Sequence, residues 1–143
     1  MILISHRGNL NGRESEENNP YKLDMLLDLG YNIEIDVWFN DNKFFLGHDS
    51  PEYRVSLDYL QNDLLWCHAK NLLSLEIMLK EGIHCFWHQT DDFTLTSRGF
   101  IWTYPNKPVL KKNIIVCQTL EDTTYYSKRD VAGICSDYIG YLK

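Results

Sequence analysis

Between Asn32 and Val37 the chain alternates without a break. Ile33, Ile35 and Val37 fall on one side, and Glu34 and Asp36 fall on the other. A period of two is the mark of a β-strand. One face of this strand suits a core, while the other carries two carboxylates that leave the backbone on the same side. Buried together, two carboxylates repel unless a counter-charge joins them. A hard divalent cation such as Mg²⁺ or Ca²⁺ supplies that charge, because carboxylate oxygen is its preferred ligand. An exposed face of an edge strand would show the same alternation, so the neighbouring segments have to decide.

Those segments alternate between strand and helix in the first half of the chain. Ile2-Leu3-Ile4 reads as a buried strand running into Ser5-His6-Arg7-Gly8. Residues 9–19 are polar and read as a loop. Asn18-Asn19-Pro20 is a helix start, with an Asn cap and Pro in the first turn. The helix is expected over Tyr21–Leu29 and ends at Gly30. Phe44-Phe45-Leu46 follows the Asn40-Asp41-Asn42 turn and leads into Gly47-His48-Asp49. A strand is expected over Asp63–His68, a helix capped by Asn71 and ending near Lys80-Glu81-Gly82, and a strand over His84–Trp87. Beyond that point only extended segments are expected (Phe93–Thr96, Phe100–Tyr104, Ile114–Cys117). A short helix over Leu120–Lys128 and a last strand over Val131–Cys135 then close the chain.

This order predicts an α/β fold with a parallel sheet and helices outside it. Polar residues gather where the strands end: His6-Arg7, Glu34/Asp36, His68/Lys70 and Asp137. Sites form at the C-terminal strand ends of a (β/α) barrel, so the pattern suggests a barrel of that kind. With 143 residues, a single domain over 1–143 is expected. His6 and His48 each follow an apolar extended run and bracket the acidic pair. Imidazole titrates near neutrality, so one ring can take a proton from a nucleophile while the other gives one to a leaving oxygen. Arg7 and Lys70 suit nonbridging phosphate oxygens. His88, Asp91 and Asp92 follow the fourth strand and are placed near the same mouth. Trp38, Trp66, Trp87 and Trp102 read as packing or rim residues.

The net charge of −6 argues against a broad nucleic-acid-binding face. No apolar run approaches the roughly 20 residues of a membrane span. The opening Met-Ile-Leu-Ile-Ser-His lacks the basic lead of a secretory signal. None of Cys67, Cys85, Cys117 and Cys135 forms a CxxC pair, so buried free thiols in a reducing, cytoplasmic setting are expected.

Taken together, His6-Arg7-Gly8, Glu17-Asn18, Glu34-Ile35-Asp36 and His48-Asp49 resemble the signature of the glycerophosphodiester phosphodiesterase family. The closing Gly133-Ile134-Cys135-Ser136-Asp137 is similar to the family's Gly-Ile-x-x-Asp ending. The resemblance is densest over residues 2–50 and thins between the two ends. It implies a TIM-type barrel and one divalent metal ion, Mg²⁺, Ca²⁺ or Mn²⁺, on Glu34 and Asp36. It also implies that His6 and His48 form the acid–base pair. The family's third ligand comes from a Glu-x-Lys, but here the segment reads His68-Ala69-Lys70. Imidazole in that place shifts preference from Ca²⁺ toward Mn²⁺ or Zn²⁺.

A full barrel of this type needs about 250 residues. A reduced TIM-type (β/α) barrel is therefore expected, with the outer helices between strands four and seven missing. The bare wall would serve as a partner surface, giving a homodimer or a similar assembly. The expected activity is metal-dependent hydrolysis of a small phosphodiester. The alternative is a non-catalytic module that binds a phosphorylated sugar or polyol on a degenerate barrel.

Overall fold

In a computed structural model of the protein, which describes residues 1–142, the alternating segment lies at the centre of one large curled sheet. Seven strands run parallel: β1 (Ile2–His6), β2 (Asn32–Asn40), β5 (Leu65–Ala69), β6 (Cys85–Phe86), β8 (Ile101–Thr103), β9 (Asn113–Cys117) and β10 (Gly133–Ser136). Their order across the sheet is β6-β5-β2-β1-β10-β9-β8. No strand pairing joins β6 to β8 among the described residues. The sheet nevertheless curls far enough for its two ends to meet. The ring of Phe86 on β6 lies 4.5 Å from that of Trp102 on β8, and Ser97 donates its backbone N–H to Cys85 O at 2.8 Å.

The remaining strands are antiparallel additions. β3 (Lys43–Leu46) folds back on the far half of β2, and β4 (Tyr53–Val55) pairs with β3. β7 (Phe93–Leu95) pairs with β8 and leaves Phe93 and Leu95 exposed at the sheet's outer edge.

Helices cover part of the outer face. α1 (Pro20–Asp28) starts where the sequence places it: Asn19 caps it by accepting from Tyr21 N, and Leu23 and Leu26 face inward. α3 (Leu72–Lys80) is capped by Asn71, whose side chain also bonds the backbone of Phe39 in both directions and so ties the helix to β2. α4 (Leu120–Tyr126) begins at Thr119 and buries Thr123 and Tyr126 against β9 and β10. Between Phe86 and Asn113 no helix forms, as the sequence predicts. The outward face of β9 is nevertheless not bare: Ile115 and Cys117 are buried with Tyr126 and Val131, and Val109 packs against them. β4 and the one-turn α2 (Leu57–Leu60) were not foreseen. No helix is long and apolar enough to cross a membrane.

Two apolar layers follow from the alternation. Ile33, Ile35 and Val37 pack outward with Leu65, Cys67, Met78 and Leu23 beneath the helices. Inside the curl, Ile4, Trp66, Phe86, Trp102, Ile114 and Cys135 fill the space from six different strands. Burial of each large side chain stabilises the fold by roughly 1.5–3 kcal/mol. All four cysteines are buried free thiols.

Candidate functional site

Because the seven strands are parallel, their C-terminal ends share one rim. Inward-facing residues there form the wall of a single cavity of about 360 Å³, lined by His6, Arg7, Glu34, His48, His68 and Lys70, with His88, Gln89, Trp102, Tyr104 and Val116 completing it. All seven residues singled out from the sequence therefore meet, with six of them and Glu34's neighbour Asp36 within one site. Strand register explains the meeting. His6 lies opposite Glu34, Asp36 opposite His68, and His68 opposite Phe86.

Glu34 and Asp36 are not on an exposed edge, since Glu34 is 3% exposed and Asp36 is 0%. Asp36 is surrounded by donors. Asn18 Nδ2 donates to its Oδ2 at 3.0 Å, Arg7 Nε lies 3.0 Å from the same oxygen, and its backbone N–H donates to Asn18 Oδ1. Burial alone would raise the pKa of Asp36. His68, Arg7 and Asn18 outweigh burial and hold it well below the usual carboxylate range. Glu34 goes the other way, raised by burial and by the charge of Asp36.

One oxygen of each carboxylate, Glu34 Oε2 and Asp36 Oδ1, is buried without a hydrogen-bond partner. Such atoms are costly unless something positive meets them. His68 stands beside both carboxylates: its Nδ1 is 3.2 Å from Asp36 Oδ1 and 3.7 Å from Glu34 Oε1, while Glu34 Oε2 faces His6. The other ring nitrogen, Nε2, donates to the carbonyl of His88 at 3.1 Å, and the ring stacks on Phe86 at 5.3 Å. With Nε2 committed to that carbonyl, Nδ1 is the nitrogen turned to the carboxylates: it donates to Asp36 when it carries a proton and offers its lone pair to a cation when it does not. One donor atom from each of Glu34, Asp36 and His68 falls within 4.8 Å of the others. Oxygens from two carboxylates and one imidazole nitrogen suit a divalent cation, and more so Mn²⁺ or Zn²⁺ than an all-oxygen set would.

The two histidines differ. His6 Nδ1 donates to Asp137 Oδ1 at 2.8 Å, and its Nε2 faces Glu34 Oε2 at 3.8 Å. Burial lowers the pKa of His6, but the Asp137 hydrogen bond and the charge of Glu34 overcome this and leave it raised. His48 sits on the rim, half-exposed, with Nδ1 on the exposed Asp49 at 2.7 Å. Its place depends on Gly47: a Cβ there would stand 2.0 Å from the backbone oxygen of Ser50, at a φ of +153°.

The expected phosphate role of Arg7 changes in the folded chain. Its guanidinium is held between Glu17, at 3.2 Å, and Asp36, so its main partners are carboxylates. Arg7 adopts a left-handed backbone at φ +55°, followed by Gly8 at φ +90°, where a Cβ would meet Leu23 at 2.9 Å. Lys70 is the freer cation, its Nζ 3.9 Å from Asp36 Oδ1.

Several contributors were not given roles from the sequence. Glu17 also binds Asn9 and Arg13, Asn18 clasps Asp36, and Asp137 orients His6. The signal was present, since Glu17-Asn18 and the closing Asp137 belong to the motifs quoted above. Of the residues placed near the mouth, His88 lines the cavity and Asp91 bonds to it. Asp92 pairs with Lys107 instead. Compared with protein-family models, curated proteins and solved structures, the chain matches none.

Proposed function

We propose that this chain is a metal-dependent phosphodiesterase of the glycerophosphodiester phosphodiesterase type, hydrolysing a small glycerophosphodiester-like substrate on a TIM-type barrel reduced to seven parallel strands. One observation carries the reading. Two buried carboxylates, each with one oxygen that has no hydrogen-bond partner, stand within 4 Å of one ring nitrogen of His68, in a cavity that His6 and His48 also line. A phosphate binder without chemistry needs cations more than it needs imidazoles and paired acids.

A divalent cation held by Glu34, Asp36 and His68 would supply Lewis-acid charge at a phosphoryl oxygen. The protein's own groups supply the rest. Asp137 keeps the proton of His6 on Nδ1, so Nε2 is the basic nitrogen facing the cavity. His48, with Nδ1 on Asp49, turns its Nε2 free for the second proton transfer, to the leaving alkoxide. Lys70 receives a nonbridging oxygen, while Arg7 keeps Asp36 ionised and in place. Trp102 and Val116 form an apolar floor that limits water below the reacting atoms.

The test is hydrolysis of bis(p-nitrophenyl) phosphate and of a glycerophosphodiester in Mg²⁺, Ca²⁺ and Mn²⁺, with wild type, His6→Ala and His48→Ala. Metal-dependent turnover is expected, falling by about 10²–10⁴-fold in each variant while metal binding persists. Unchanged turnover in either variant, or none with any metal, overturns the reading.

A second reading has its own support. Arg7 already occupies one oxygen of Asp36, and the third ligand is an imidazole rather than a carboxylate. A weakened metal site of that kind suits a binding module for a phosphorylated sugar or polyol. Tight phosphate-ester binding without turnover would select it.

A further inference from the structure

Opposite His6 and Asp137, a second hydrogen-bonded chain reaches the same cavity. Asp91 Oδ2 lies 2.9 Å from His88 Nδ1, and Tyr104 Oη lies 2.5 Å from His88 Nε2. The other oxygen of Asp91 accepts the backbone N–H of Gln89 at 3.0 Å. The rings of His88 and Tyr104 are 4.7 Å apart, which fixes both. Neither the phosphodiesterase reading nor the motifs behind it use these three side chains.

Their donors and acceptors can be counted. Part burial would raise Asp91's pKa, but the Gln89 N–H and His88 outweigh it and hold the carboxyl below its ordinary range, so it only accepts. Nδ1 of His88 therefore carries the proton. In the neutral ring Nε2 is then the acceptor, and the phenolic O–H of Tyr104 donates to it. Burial and the charge of Glu34 push the Tyr104 phenol up, so that proton stays on. What remains for the cavity is a lone pair on Tyr104 oxygen. Tyr104 also lines the adjoining lobe of about 440 Å³, which shares His6, Arg7 and His48 with the main cavity. A phosphate oxygen cannot satisfy this lone pair, because it too only accepts. A hydroxyl group can.

We propose that Tyr104, held by His88 and Asp91, accepts a hydrogen bond from a free hydroxyl on the alcohol part of the ligand, and is the residue that separates hydroxylated phosphoesters from those of a plain alkyl alcohol. This rests on the phosphodiesterase reading only for where the phosphate sits. Tyr104 is thus a specificity-determining residue, and Asp91 acts through His88 as a positioning residue.

The experiment is equilibrium titration of glycerol 3-phosphate and of propyl phosphate, which lacks the free hydroxyls, into wild type, Tyr104→Phe and Asp91→Ala. Wild type is expected to prefer glycerol 3-phosphate by roughly tenfold. Tyr104→Phe should weaken that ester alone and bring the preference to near unity, with propyl phosphate unchanged. Asp91→Ala, at a more exposed position, should lose part of the preference and guards against a misfolded Tyr104 variant. Equal affinities in wild type, equal weakening of both esters in Tyr104→Phe, or no binding of either ester overturns the proposal. Binding needs no turnover, so a failure of hydrolysis alone would remove the catalytic reading and leave this one standing.

Discussion

Nδ1 of His6 stands 2.8 Å from Oδ1 of Asp137, joining residues 131 positions apart in the chain. The contact exists because β1 and β10 are parallel neighbours in register, with Ser5 opposite Ser136, so the next residues on each strand emerge together at the rim. Asn9 donates to the same oxygen at 2.8 Å, which prevents the carboxylate from turning away. An imidazole held in this way has one tautomer and one orientation, the usual requirement for a general base.

Asp137→Ala removes that orientation without touching the acidic pair. We expect kcat for phosphodiester hydrolysis to fall by about 10²-fold with KM little changed. Steady-state kinetics on both substrates checks this. A raised KM with kcat intact would make Asp137 a ligand-binding group and not the positioner of His6.

Glu34 and Asp36 predict opposite effects with and without metal. Mn²⁺ at about 100 times its dissociation constant should stabilise the fold by about 2.7 kcal/mol, a rise in Tm of roughly 5–10 °C for a domain of this size. Glu34→Gln should abolish most of that rise. In metal-free buffer the same variant relieves the repulsion between two buried carboxylates, so its Tm should not fall below that of wild type. Differential scanning calorimetry with Mn²⁺ and with chelator reads both arms. A full Mn²⁺ shift in Glu34→Gln would place the ion elsewhere.

Much of this arrangement was legible in the residues. The alternation at Asn32–Val37 located the acidic pair, and apolar runs ending in His6 and His68 located the rim. Helix starts at Asn19 and Asn71 follow from local capping chemistry, which needs no distant contact. What was not legible depends on distant partners. Nothing local to Asn18 says that its amide clasps Asp36, and nothing near Arg7 says that two carboxylates take its guanidinium. The three-residue β4 and the single turn of α2 are too short for periodicity to register. The covering of β9 by Val109 likewise comes from a segment with no regular structure of its own.

His84 makes the pH dependence of stability testable away from the acidic pair. Its ring is buried against Trp66, 4.2 Å away, and hydrogen-bonded to Thr96 at 2.9 Å. Burial, helped by the charge of Arg98, lowers its pKa from 6.5 to about 4. The folded pKa thus lies below the unfolded one, and between the two values the unfolded chain binds more protons. Stability attributable to His84 is therefore complete above about pH 6.5 and is lost as pH falls toward 4, by up to roughly 3 kcal/mol. Urea unfolding at pH 7.5, 5.5 and 4.5 should show this decline in wild type. The decline should be smaller in His84→Gln, whose side chain does not titrate. Parallel slopes for the two proteins across that window would mean that His84 is protonated as readily in the folded chain as in the unfolded one.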